Sequence, residues 1–231
     1  DNSYPRAVRL AHDGSPNETV LATFARRGQG AANSLPVYRS TDGGQTWSNS
    51  PISTITSHTS GWDLAAPVLY EVPRDANGLN QGDLLAAATA WDEWDFTAQK
   101  IEVFKSTDHG ETWQYLSNCT ETSGLPDTIG HGIWEPWFLL TENDTLACFV
   151  SDERPANSST NNQVIGHYTS TDGGQTWSST LTQDVAFPSD NLARPGMSIV
   201  IPLPNGTFLM AYELCRDATD PDHACETYIK T

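Results

Sequence analysis

The apolar positions fall in short, strand-length runs separated by turn residues, the pattern of a β-rich chain short on long apolar helices. The runs come in pairs: "YPRAVRL" with "TVLATFA", "AAPVLYEV" with "DLLAAATA", "WEPWFLL" with "TLACFVS", and "ARPGMSIVIP" with "TFLMAYE". Asp13-Gly14, Asn77-Gly78, Asn143-Asp144 and Asn205-Gly206 separate the members of each pair, residue types that close hairpins. A third run follows each of the first three pairs ("LPVYRS", "KIEVFKS", "QVIGHYTS") and leads into one repeated turn, "STDGGQTW", "STDHGETW" and "STDGGQTW". The turns recur at intervals of roughly 65 residues, the mark of a stacked repeat architecture.

Each turn has a mechanical reading. Glycines at 43–44, 110 and 173–174 supply the positive φ that a tight hairpin needs. The carboxylates of Asp42, Asp108 and Asp172 and the neighbouring hydroxyls can hold the turn's own N–H groups, and the closing Trp offers an apolar plate to an adjacent unit. One carboxylate per copy is too few for a calcium loop, so the box is scaffold. Each unit then holds four short antiparallel strands, with the box joining the third to the fourth. The expected fold is all-β, a β-propeller of four-stranded antiparallel blades in one domain over residues 1–231. Because "ETYIKT" ends where a further box would begin, the chain should supply about three and a half blades and be truncated at its C-terminus.

Composition narrows the partners. The chain has 231 residues, with 12 Lys and Arg against 29 Asp and Glu and a formal charge of −17. Such a surface repels phosphate backbones and anionic lipids, so neither nucleic acid nor membrane is expected, and a neutral substrate fits best. Four cysteines (Cys119, Cys148, Cys215, Cys225) lack the spacing of a zinc site, and two disulfides, Cys215–Cys225 and Cys119–Cys148, are expected. Sequons begin at Asn17, Asn118, Asn143, Asn157 and Asn205. With an even cysteine count they point to a secreted, extracellular glycoprotein. No metal or other cofactor is called for, and a monomer is expected. No phosphate-binding glycine loop or serine-hydrolase arrangement occurs.

Propellers place their sites around the central channel, so the innermost strands deserve the search for chemistry. Aligned on Pro5, Pro67, Pro136 and Pro195, they bring Tyr4 and Arg6, Trp62 to Ala66, Trp134 and Glu135, and Ala193 and Arg194 to equivalent ends. In the second strands Glu213 stands where the others carry Ala25, Ala90 or Ser151. Two glutamates at inner-strand ends of adjacent blades suit glycoside hydrolysis, which needs a carboxyl pair about 5–5.5 Å apart for retention or about 6.5–9.5 Å for inversion. Tryptophans around Glu135 favour it as acid/base, leaving Glu213 as nucleophile. Tyr4, Arg6, Trp62, Asp63, Trp134, Arg194 and Tyr212 are the expected substrate contacts. Trp91, Asp92, Trp94, Asp95 and His131 are further candidates near strand ends, while the acidic loop of Asp217, Asp220 and Asp222 reads as a solvated loop.

The boxes resemble the Asp-box (bacterial neuraminidase) repeat of sialidase-like proteins, a motif specific for architecture rather than activity. With "YPRAVRLAHDG", "WEPWF" and the glutamate of "AYE", the chain resembles glycoside hydrolase family 93. That resemblance implies a six-bladed, secreted exo-arabinanase that releases arabinobiose from linear α-1,5-arabinan with retention, its catalytic pair at Glu135 and Glu213. Two alternatives stand beside it. One is a sialidase-like exo-glycosidase using Arg6, Arg26 and Arg194 on a substrate carboxylate; the other is a carbohydrate-binding propeller without catalysis.

Overall fold

The computed structural model describes residues 2–14, 18–27, 32–92, 98–122, 132–155, 162–189, 192–216 and 225–231. Among them are fifteen strands and no helix, arranged as the expected propeller blades. Blade one holds β1 (Asn2–Arg9), β2 (Val20–Arg26), β3 (Leu35–Ser40) and β4 (Ser53–Ile55). Blade two holds β5 (Asp63–Glu71), β6 (Leu84–Trp91), β7 (Gln99–Ser106) and β8 (Gln114–Thr122). Blade three holds β9 (Ile133–Leu140), β10 (Leu146–Asp152), β11 (Val164–Ser170) and β12 (Thr182–Val185). Blade four holds β13 (Ala193–Pro202), β14 (Phe208–Arg216) and β15 (Glu226–Lys230). Within each blade the strands pair antiparallel in chain order.

Both faces of the middle blades are buried, so their strands read as continuous apolar runs while alternate residues serve different neighbours. In β6, Leu84, Ala86 and Ala88 pack with Leu21, Val37 and Phe104 between blades one and two. Leu85 and Ala87 pack with Val68, Phe138 and Cys148 between blades two and three. A third cluster of Leu139, Phe149, Ile165, Val200 and Met210 joins blades three and four.

The boxes behave as their composition dictates. Ser40 Oγ donates to Asp42 Oδ1 at 2.7 Å and accepts from Gly44 N–H at 2.8 Å, while Thr46 N–H and Oγ1 donate to the two Asp42 oxygens at 2.8 and 2.6 Å. The same bonds recur around Asp108 and Asp172. The Thr46 hydroxyl and N–H, with the Ser40 hydroxyl, hold the Asp42 carboxyl at about 2. Each box also reaches outward. Trp113 Nε1 donates to Ser53 Oγ of blade one at 3.2 Å, and Trp177 Nε1 donates to Ser117 Oγ of blade two at 2.9 Å. Trp47, with no earlier sheet beside it among the described residues, donates to its own Gly44 carbonyl at 3.1 Å.

The inner strands share a feature the sequence did not announce. Each first-to-second strand ladder is broken by a bulge, between Ser3 and Arg6, Ala65 and Val68, Trp134 and Trp137, and Gly196 and Ile199. The bulged residues Tyr4, Ala66, Glu135 and Met197 have φ of 52°, 48°, 61° and 53°, the left-handed region that side chains normally avoid. Pro5, Pro67 and Pro136 follow directly, where a missing N–H costs no ladder bond.

In blade four the bulge falls at Met197–Ser198, not at Pro195, so the proline alignment slips there. Gly196, not Arg194, is the counterpart of Trp134 and pairs with Glu213. The counterparts of Glu213 are Ala25, Thr89 and Ser151, with Thr89 in place of the expected Ala90.

Both disulfides pair as expected. Cys119 on β8 joins Cys148 on β10, stapling blade two to blade three, and Cys215 joins Cys225 within blade four. The first closes a loop of about 30 residues, for which chain-entropy arguments give roughly 3–4 kcal/mol. Replacing Cys119 and Cys148 together by Ser is therefore expected to lower unfolding free energy by about 2–4 kcal/mol in urea titration, with the Asp-box geometry unchanged by crystallography.

Candidate active site

Three of the four bulges open into one cleft of about 310 Å³, lined by Tyr4, Ala65, Ala66, Trp91, Trp134, Glu135, Glu153, Gln163, Arg194, Glu213 and Cys215. The bulge is what delivers them. One extra residue breaks the alternation that would send these side chains between blades, and turns them to the cleft instead. Blade two presents the small side chains of Ala65 and Ala66 at its bulge, with Trp91 from the end of β6 beside them. Trp91 and Trp134 meet edge-to-face, with centroids 6.0 Å apart, and form an aromatic wall.

Glu135 and Glu213 come together although they lie far apart in the chain. Glu135 Oε2 accepts Ser151 Oγ–H at 2.8 Å and the Met197 N–H at 2.7 Å. Ser151 is wholly buried. Glu213 sits across the ladder from Gly196, and a Cβ on Gly196 would lie 2.9 Å from Glu135 Oε2. Burial, and then the Glu135 charge, push the Glu213 carboxyl above its ordinary value. Burial also raises the Tyr4 phenol, with both glutamate charges adding to it. The Glu213 carboxylate lies within 4.8 Å of both sulfurs of Cys215–Cys225. Those sulfurs are joined to each other and so offer no thiolate to a metal.

The remaining expected contacts divide. Arg194 lines the cleft with its charge engaged: Nη2 donates to Glu153 Oε1, and to Gln163 Oε1 at 2.9 Å. Glu153 Oε2 in turn accepts the Gly132 N–H at 2.7 Å. Trp62 packs on the blade one–two core beneath Lys100, whose Nζ is 4.9 Å from the ring centroid. Asp63 is 1% exposed and accepts the Asn33 N–H, a structural tie between blades. Tyr212 alternates away from Glu213, is 9% exposed and stacks on Tyr228 at 5.8 Å. Arg6 is half-buried on β1, outside the cleft lining. The structure thus places Trp62, Asp63, Tyr212 and Arg6 outside the cleft.

Three arginines do not converge. Arg26 donates to Tyr38 at 2.6 Å and lies over Phe24 and Tyr38, while Arg194 is paired with Glu153. Trp94, Asp95, His131, Asp217, Asp220, Asp222, Asn17 and Asn157 lie outside the described residues. Asn143 and Asn205 sit exposed at hairpin turns, whereas Asn118 is half-buried, its amide donating to Glu121 at 2.8 Å.

Sequence reasoning missed Glu153, Gln163, Ser151 and Gly196. The first two follow second strands or precede third strands, outside the aligned repeat. In the sequence Ser151 marks only a position equivalent to Glu213, and Gly196 only a small residue after the proline.

The chain has recognisable relatives. It matches the BNR/Asp-box repeat family at residues 38–49, 104–115 and 168–179. No curated protein sequence matches it. Among solved structures it is similar to the GH93 α-L-arabinofuranosidase of Fusarium graminearum in complex with arabinobiose, at 29% identity and a TM-score of 0.80. It is equally similar to an α-L-arabinanase of Penicillium chrysogenum complexed with arabinobiose, at 29% identity and a TM-score of 0.80. In both cases the match covers 99% of this chain and 62% of the other, so the chain spans less than two thirds of those enzymes. An endo-arabinase of Bacteroides thetaiotaomicron, at 13% identity and a TM-score of 0.64 over 100% of this chain and 74% of that one, shares the fold alone.

Because Glu153 is 7% exposed, removing its cation leaves a carboxylate that is costly to bury. Arg194→Met is expected to destabilise the fold by about 1–3 kcal/mol, discounted for the partly exposed guanidinium. Adding Glu153→Gln should recover part of that loss in urea denaturation.

Proposed function

We propose that this chain carries the catalytic cleft of a secreted, retaining glycoside hydrolase that releases arabinobiose from an end of linear α-1,5-arabinan. The observation that carries the reading is the meeting of Glu135 and Glu213 in one aromatic cleft. Similarity to two fungal enzymes, each solved with arabinobiose, supports the substrate class. A carbohydrate-binding propeller without catalysis would not require two electrostatically coupled carboxyl groups. A sialidase-like reading loses its footing because the three candidate arginines do not gather in the cleft. Two disulfides, together with exposed sequon residues Asn143 and Asn205, support an oxidising extracellular setting.

The environments favour the opposite division of roles from the one expected from sequence. Glu213, raised by burial and by the Glu135 charge, is suited to hold a proton for the leaving group. Glu135, one oxygen held by two donors from different blades, is positioned to act as nucleophile. In the first step a Glu135 oxygen bonds the anomeric carbon while the glycosidic C–O bond breaks and the departing oxygen takes the Glu213 proton. Water then attacks the anomeric carbon, giving its proton to Glu213 and freeing Glu135.

Turnover of linear arabinan by Glu135→Gln and by Glu213→Gln should fall roughly 10²–10⁴-fold or more, with arabinobiose binding retained by calorimetry. An aryl arabinobioside with a good leaving group should restore the first step in Glu213→Gln and not in Glu135→Gln. Wild-type rates on arabinan from both variants, or cleavage of a sialoside control instead, would overturn the assignment.

The sign of the pH dependence follows from the same environment. A raised Glu213 keeps its proton above the ordinary glutamate value of about 4.3, so activity persists there and declines as pH climbs through the Glu213 titration. Glu213→Gln should lose that alkaline limb on the aryl substrate. Crowding the cleft by Ala66→Phe should lower kcat/KM at least about tenfold, measured on variant protein whose circular dichroism matches the wild type.

A further inference from the structure

We propose that Ser151 and the blade-four backbone at Gly196 and the bulged Met197 are positioning elements that pin one oxygen of Glu135, so that its other oxygen, Oε1, is the attacking atom. The inference rests on the glycosidase reading and adds which atom reacts and what aims it.

The geometry is one-sided. Both donors, Ser151 Oγ–H at 2.8 Å and Met197 N–H at 2.7 Å, fall on Oε2. They come from different blades, so the carboxylate plane is fixed by two independent supports. Ser151 is wholly buried on β10, across the ladder from Trp134, and its Oγ bonds nothing else among the described residues. Met197 can present its N–H there only because the bulge holds it at φ 53°, a backbone state that costs about 1–3 kcal/mol at a non-glycine residue.

Gly196 completes the support by having no side chain. A Cβ there would stand 2.9 Å from Glu135 Oε2, 2.9 Å from Gln163 Nε2 and 3.4 Å from Ser151 Oγ. Gln163 is itself fixed, its Nε2 donating to the Pro195 carbonyl at 2.8 Å. The carboxylate therefore packs directly on the blade-four backbone. Arg194, in the cleft lining, is bound to Glu153 and Gln163, while a hydroxyl and a backbone N–H hold Glu135 Oε2. With Oε2 saturated, the bond to the anomeric carbon forms from Oε1 as the glycosidic C–O bond breaks. Oε2 then becomes the carbonyl oxygen of the ester, and its two donors stay in place.

The test uses an arabinose-configured, mechanism-based epoxide that esterifies the nucleophile, with the labelled peptide identified by mass spectrometry. In the wild type Glu135 is expected to carry the label. Ser151→Ala should slow labelling and kcat about tenfold with KM nearly unchanged, and Ser151→Thr, which restores a hydroxyl, should recover most of the rate. Gly196→Ala should slow labelling further by displacing Oε2. A purely structural role for Ser151 would lower Tm without separating kcat from KM. Wild-type labelling at Glu135 with Ser151→Ala and Gly196→Ala both unaffected would overturn this inference alone. Failure of the wild type to be labelled or to cleave arabinan would overturn the glycosidase reading instead. If Ser151→Ala does not fold, a wild-type ester crystal structure decides: Ser151 and Met197 bonded to the ester carbonyl oxygen uphold the inference, and bonded to the ester oxygen that links to the sugar, they refute it.

Discussion

One extra residue in the first strand of every blade governs what this fold can do. Two-residue alternation is the packing rule of the blades, and followed without interruption it would hide every inner-strand side chain between sheets. The bulge breaks the rule once per blade, at the same height, by forcing Tyr4, Ala66, Glu135 and Met197 into the left-handed region. Each such residue costs about 1–3 kcal/mol, which only a scaffold held elsewhere can sustain. The apolar interfaces between blades provide that hold.

The boxes provide it at the other end. Strand pairing sets Ser40 opposite Val20 and Ser170 opposite Leu146, so each box lies where second strands begin, away from the bulges. There Trp113 and Trp177 bond back to the preceding blade. The Cys119–Cys148 bridge adds a covalent tie between blades two and three. One end of the sheets is thus given to local, self-satisfying turns, and the other is free to carry strained backbone and imperfectly solvated charge. Asp42 and Glu213 display the contrast: hydrogen bonds to an open turn lower the first, while burial beside a like charge raises the second.

That division also decided what could be read from the sequence. The box is legible because its bonds run between residues at most four apart, and the disulfides because the two expected pairings hold. Glu135 and Glu213 were legible as misfits within aligned repeats. Proline served as the landmark for the inner strands and worked in three blades, where it follows the bulge. In blade four the bulge uses Met197 and Ser198, and Pro195 lies before it, so the register there was misread. Trp62 and Asp63 have the composition of a sugar subsite, yet they precede the bulge and face the packing. The partners of Arg194 lie in connections between strands, which no repeat pattern orders. Composition shows which residues could do chemistry; a single inserted residue decides which way they point.

Buried glutamates are common in stable proteins, and this chain contains the control. Glu102 is wholly buried and takes donors from Ser57 Oγ, His58 N–H and Thr59 at 2.9–3.3 Å, a carboxylate fully satisfied in place. Glu213 has the Glu135 charge beside it and no comparable ring of donors among the described residues, an arrangement that costs stability and suits the proton transfer proposed for it. Around it, among the described residues, the cleft lining adds Glu135, and Glu153 paired with Arg194. The Glu135 carboxylate, unlike a cluster of arginines, would repel a sialic acid carboxylate. It favours a transition state with positive charge at the anomeric carbon, the kind a neutral arabinan would pass through under the proposed reaction. The formal charge of −17 on the whole chain acts in the same sense as Glu135, against an anionic substrate.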